Sequence, residues 1–233
     1  MSKLLDIFKK KNNEHYEIFI TTRPNSSHAE SYRKIPLNLR YFNVDNEPRV
    51  IQISSSMPGE YKTTTSTNLA AVYGEAGHKV VLIDCDLRRP KVHRATNLLN
   101  DVGLTNYLVD KINYDELIKK SEYGFDVITS GETVPYPHVV LNSLKFQELL
   151  NTLRKEYDYI IVDSPPILLV TDSLILSEKV DTTLFVINQK VAKKTDVREA
   201  LQLLENSKAK VSGVILSNVS KKYINYSHYG KYY

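Results

Sequence analysis

Cysteine is all but missing from this chain. Cys85 is the single thiol among 233 residues, so no disulfide can form within the chain, a usage that suits a reducing cytosol. That one cysteine is expected to be a small buried side chain rather than a reactive one. Long apolar runs are missing too. Met1–Lys11, MSKLLDIFKKK, is too short for the apolar region of a signal peptide or for a membrane span, and no transmembrane segment is expected elsewhere. Nor does charge of one sign dominate: the formal net charge is +4, with Lys and Arg spread along the chain, so no nucleic-acid partner is expected. No internal repeat appears, which argues against a solenoid. What remains is ordinary globular composition, 42% hydrophobic and 25% charged, at a length suited to one α/β domain with a full core.

Glycine is scarce where it would be expected most. Val50-Ile51-Gln52-Ile53 reads as a strand, and Ser66–Ala76 as a helix with Leu69, Tyr73 and Ala76 at helical spacing, closed by Gly77. Between them lies Ser54–Thr65, SSSMPGEYKTTT. Strand, loop, helix is the context of a phosphate-binding P-loop, in which backbone N–H groups and the helix N-terminus surround an anion. Lys62 then reaches the outer phosphates and the Thr63 hydroxyl ligates Mg²⁺. Against the pattern G-x-x-x-x-G-K-[ST], Ser56 stands at the first glycine and Tyr61 at the second, leaving only Gly59 in the loop. Pro58, Gly59, Glu60, Tyr61, Lys62, Thr63 and Thr64 are the candidate nucleotide-binding residues. A plain polar turn remains the alternative for the loop taken alone.

Two further strands strengthen the nucleotide reading. Lys79–Ile83 ends in Asp84-Cys85-Asp86-Leu87-Arg88-Arg89-Pro90, and Tyr159–Val162 ends in Asp163-Ser164-Pro165-Pro166. Ligands of a parallel sheet bind beyond the carboxyl ends of its strands. One lysine, one threonine and three carboxylates therefore converge on one rim, an inventory for Mg²⁺-nucleotide chemistry.

At these residues the chain resembles the bacterial tyrosine kinases of capsule and exopolysaccharide clusters, in the cytoplasmic form found in Gram-positive bacteria. PGEYKTTT, LIDCDLRRP and IIVDSPP look like the Walker A, A′ and B motifs of that family, itself within the ParA/MinD-like P-loop ATPases. The resemblance runs from about Glu30 to Tyr233. It implies a mostly parallel α/β sheet with helices on both faces, and an ATP- and Mg²⁺-dependent kinase of tyrosines on itself and on partner proteins. It also implies Lys62, Asp84, Asp86 and Asp163 as catalytic residues, with Asp84 as base or orienting group and Thr63, Asp86 and Asp163 on the metal. Asn218, after the last strand Val211–Leu216, lies near the adenine by the same resemblance. Arg88 and Arg89 either steady phosphate or the Asp cluster, or face solvent. The implied partners are a membrane-embedded activator of the chain-length-determinant type, a tyrosine phosphatase, and further copies of the chain in a ring. The implied location is cytoplasmic, at the membrane's inner face through the activator. A catalytically weakened scaffold and a ParA/MinD-like ATPase switch are the competing readings.

Three segments follow. Residues 1–29 are expected to be flexible, 30–219 to be the kinase domain, and 220–233 a tyrosine-rich tail. Glu30 and Arg33 match two positions of the family's ring-forming Glu-x-x-Arg-x-x-Arg helix, but Pro36 takes the third and is expected to break the helix at Ile35 or to restart it. Tyr114–Lys120 is expected to be short helix, Phe125–Ile128 a strand, and Ser143–Tyr157 a helix against the sheet. His138, in a Pro-rich loop, is expected to be exposed rather than catalytic. Tyr223, Tyr226, Tyr229, Tyr232 and Tyr233 crowd the tail among Lys, Ser, Gly, Asn and His, with no apolar alternation. Taken with the kinase resemblance they read as autophosphorylation sites, where added charge would loosen a ring.

Overall fold

A computed structural model describes residues 16–42, 47–207 and 209–220. Strands β1 (Val50–Ser55), β2 (Val80–Asp84) and β5 (Tyr159–Asp163) are buried at every position. Continuous burial is what strands covered on both faces require, and it explains their unbroken Val, Ile and Leu runs. With β3 (Lys119–Lys120), β4 (Asp126–Ile128), β6 (Thr182–Asn188) and β7 (Val211–Ser217) they form one sheet in the order β3-β4-β2-β5-β1-β6-β7. Every neighbouring pair is parallel except β3 with β4. Asp84 stands directly opposite Asp163, and Ile53 is also paired with Asp163, so the three strand ends meet at one level of the rim.

Alternate side chains of the central strands feed two cores. On one face Ile51, Ile53, Leu82 and Ile161 pack under α3 (Lys62–Glu75), through its Leu69, Val72 and Tyr73. On the other, Val81, Ile83, Ile160 and Val162 meet Phe146, Leu149, Leu150 and Leu153 of the helix Leu144–Glu156. That helix fits its expectation, and Ser143 caps it by accepting the Phe146 amide at 3.2 Å. α3 is buried from Lys62 through Tyr73 because a further layer covers it, formed by α1 (Phe19–Thr22) and α2 (Ser27–Phe42).

Three expectations need correction. The stretch expected to be flexible up to residue 29 is packed from residue 16 onward: Ile18, Ile20 and Ala29 are buried in the α3 core, and the Asn68 side chain donates to the Glu17 carbonyl. α2 runs through Pro36 without a break. Ala29 and Leu39 of α2 are buried and Tyr32 and Ile35 pack beside them, so one well-packed face outweighs the hydrogen bond that proline removes. Tyr114–Lys120 gives a single 3-10 turn at Tyr114–Glu116 and then the antiparallel β3, with Leu117 wholly buried between. His138 is exposed as expected.

Candidate nucleotide site

The loop from Ser56 to Tyr61 joins β1 to α3 and holds its shape through its own side chains. Tyr61 sits at φ 65° and ψ 30°, the left-handed conformation that glycine supplies elsewhere. A tyrosine there carries strain on the order of 1–3 kcal/mol. The residue is 48% exposed, so its side chain is not packed into the buried floor of the loop. Gly59 is left-handed too, at φ 81°. The Glu60 carboxylate, wholly buried, accepts from Ser56 Oγ (2.5 Å) and the Met57 amide (2.8 Å) with Oε1, and from the Asn188 amide (3.0 Å) with Oε2. Asn188, at the end of β6, donates its side-chain amide to the Gly59 carbonyl at 3.0 Å. Glu60 thus commits its side chain to the loop, not to a ligand.

α3 opens at Lys62 with no side-chain cap and no acidic residue in its first turn. Its first amides are left for an anion, and the positive end of the helix favours one. Lys62 is nearly buried; burial lowers its pKa, opposed by Asp163, Asp86 and Glu60. The charge of those three carboxylates favours the ammonium form that burial opposes.

Thr63 Oγ1 donates to Asp163 Oδ2 at 2.7 Å, and Ser66 Oγ donates to Oδ1 at 2.8 Å. With its proton given to Asp163, the Thr63 oxygen keeps lone pairs for a cation. Burial pushes the Asp163 carboxyl up to about 6, against the pull of Thr63, Lys62 and Ser66. Asp84 is wholly buried and its pKa is raised, first by burial and then by Asp163 and Asp86. Its Oδ2 accepts the Lys91 and Val92 amides and its Oδ1 the Asp86 amide, so it also anchors the loop after β2. Asp86 is half-buried; burial raises its pKa too, while the Arg89 amide and Lys62 lower it.

These residues fit Mg²⁺ with a nucleotide. Among the described residues no three carboxylate, imidazole or thiol groups form a cation cage. Mg²⁺ needs none, because it prefers one or two protein oxygens completed by phosphate and water. Thr63, Asp163 and Asp86 are the oxygens at hand, beside an uncapped helix N-terminus and a buried lysine.

The structure thus brings together Gly59, Tyr61, Lys62, Thr63, Asp84, Asp86 and Asp163. Asn218 is exposed just past β7, at φ 55°; its neighbour Ser217 touches the Glu60 carbonyl, with 3.5 Å between the oxygens. Arg88 is exposed, the second of its two expected settings, and its guanidinium also pairs with the buried Asp172 at 2.8 and 3.2 Å. Glu30 and Arg33 lie on α2 in a network within the chain, Arg33 bonding Glu30 at 2.6 Å and both oxygens of Glu75 at 2.8 Å. The tail tyrosines from Tyr223 to Tyr233 lie outside the described residues. Sequence reasoning missed Ser66, Asn188 and Asp172. Asn188 carried a signal, since it ends an apolar strand at the rim, and Ser66 lies one helical turn after Lys62.

Comparison with known proteins agrees with this geometry. A family model described as "AAA domain" matches residues 48–219. The tyrosine-protein kinase YwqD of Bacillus subtilis (strain 168) is 39% identical over 216 residues, covering 92% of this chain and 90% of its own. The crystal structure of the chimerical protein CapA2B2 superposes with a TM-score of 0.82 at 34% identity, over 85% of this chain and 88% of the other. The septum site-determining protein MinD of Pyrococcus horikoshii, solved with Mg-ADP, shares the fold alone. It is 22% identical, with a TM-score of 0.63 over 75% of this chain and 72% of that one.

Proposed function

The chain belongs to the bacterial tyrosine kinases, and on that premise we propose that it transfers the γ-phosphate of ATP to tyrosine hydroxyls of its own tail and of partner proteins in capsular or exopolysaccharide synthesis. The observation that carries this reading is the pairing of Thr63 with Asp163 beside Lys62, at the uncapped start of α3. When bound, Mg²⁺-ATP supplies the transferable phosphoryl group and the cation that offsets its charge. Lys62 and the first amides of α3 hold the phosphates. Thr63, whose hydroxyl proton is engaged by Asp163, would offer its oxygen to the metal, and Asp86 and Asp163 are the carboxylates that would support it. Asp84 takes the phenolic proton, its basicity raised by burial and by Asp163. Asn218 stands at the base end of the site. Phosphoryl transfer is mostly positioning and charge stabilisation, so a preformed loop suits it.

No helix among the described residues is long and apolar enough to cross a membrane. The proposed setting, which follows from the family and not from that absence, is cytoplasmic, held at the membrane by an activator of the chain-length-determinant type. A tyrosine phosphatase reverses the tail modification, and unmodified copies assemble into a ring through the α2 face that carries Glu30 and Arg33.

Isothermal titration with Mg²⁺-ADP tests the nucleotide reading. Binding should depend on Mg²⁺, and Thr63→Ala should abolish that dependence while leaving weak metal-free binding. No binding by the unaltered chain, or Mg²⁺ dependence unchanged in Thr63→Ala, would contradict the assignment.

A further inference from the structure

P-loops place glycine where the backbone must turn left-handed or run close to phosphate. This chain lacks two of those glycines yet keeps the left-handed turn at residue 61. Something outside the helix must hold it. A negative charge beside a phosphate site opposes anion binding, so the Glu60 carboxylate has to be tied back from the loop's mouth. Its burial is complete, and three donors from two segments converge on it: Ser56 and Met57 at the loop's start and Asn188 at the end of β6. A fully hydrogen-bonded buried carboxylate is a fixed strut, and charge-assisted bonds are the strong kind. Asn188 adds a second tie, from its side chain to the Gly59 carbonyl, and its own Oδ1 is fixed by the Lys190 amide at 3.0 Å. The residues on either side of Glu60 are the two left-handed ones, Gly59 and Tyr61.

We propose that Glu60 and Asn188 are positioning residues, a latch between the phosphate loop and β6 that holds the loop in its binding shape in place of the two missing glycines. The proposal rests on the nucleotide reading of the loop. Ser56 takes part directly: where the pattern has glycine, its hydroxyl supplies a donor to the strut. Losing the latch frees residue 61 to leave the left-handed region, which a tyrosine does readily and a glycine has less reason to do. The effect of breaking the latch must therefore depend on what occupies position 61, which a merely structural role for Asn188 does not require.

The test is a mutant cycle read by Mg²⁺-ADP titration, by the KM for ATP against kcat, and by thermal melting to confirm folding. Asn188→Ala should weaken Mg²⁺-ADP binding about ten-fold, the scale of one lost hydrogen bond at a buried site. The loss should fall on KM for ATP rather than on kcat. With Tyr61→Gly already in place, Asn188→Ala should cost less than about two-fold. Glu60→Gln, which keeps the shape but turns an acceptor into a donor, should reproduce the Asn188→Ala loss if the asparagine variant folds poorly. Undiminished affinity in both Asn188→Ala and Glu60→Gln would overturn the latch, and so would a ten-fold loss that Tyr61→Gly leaves unchanged. Failure of the unaltered chain to bind Mg²⁺-ADP would overturn the nucleotide reading itself, and the latch with it.

Discussion

Asp163 shows how a single residue divides stability from function. It is held by Thr63 and Ser66 but buried, and burial raises its pKa to about 6, above the roughly 3.9 of an unfolded aspartate. The native state therefore holds the proton more tightly than the unfolded one. Stability from this group is fullest below about pH 4, declines as pH rises toward about 6, and stays lower above that. Asp163→Asn removes the buried charge while keeping the shape. The variant's melting temperature without nucleotide, relative to the unaltered chain, should accordingly rise between pH 4.5 and pH 7.5, while Mg²⁺-nucleotide binding is lost. A constant difference across that range would mean that Asp163 is already ionised at little cost. Tyr61 makes the complementary point, since its strained backbone is tolerated with the side chain not packed into the buried floor of the loop.

At the scale of elements, α3 links the site to the core. Its first turn lines the loop, and its far end packs so tightly that a Cβ at Gly74 would come within 2.3 Å of the Gly124 carbonyl oxygen. Helix propensity alone says that Gly74→Ala should stabilise by about 0.5–1 kcal/mol. The close approach reverses the sign, and the variant should lose about 1–3 kcal/mol in denaturant unfolding, as overpacked sites do. A stabilised variant would mean that the β4-side turn yields freely. The elements themselves were largely legible. Runs such as Val80–Ile83 and Tyr159–Val162 admit little besides buried parallel strands, and the spacing of Phe146, Leu149, Leu150 and Leu153 admits little besides a helix. α2 was not legible through Pro36, because the packing of Ala29 and Leu39 that holds it together is tertiary. Neither was the burial of Ile18 and Ile20, two apolar residues in a segment without periodicity. In the site, Lys62, Thr63 and the three aspartates follow from their positions after strands. The roles of Glu60 and Asn188 do not, because 128 residues separate the two sides of that contact.

For the whole molecule, the sheet order puts β2, β5 and β1 side by side, so the ends of three central strands form one rim with α3 starting from it. α2 lies on the outer side of α3, and its Arg33 is engaged with Glu75 of α3. Any assembly through that face must build on this network or exchange it. The tyrosine-rich tail follows β7, whose end meets the loop through Ser217. The proposed kinase activity requires that a P-loop with tyrosine in a glycine position still support phosphoryl transfer. Its most direct test is phosphotyrosine mapping by mass spectrometry after incubation with Mg²⁺-ATP and the cytoplasmic tail of the proposed activator, for the unaltered chain and for Lys62→Met. Phosphate on the cluster Tyr223–Tyr233 in the unaltered chain, and its loss in Lys62→Met, is the predicted result. An unmodified cluster, or one modified equally in Lys62→Met, would contradict it.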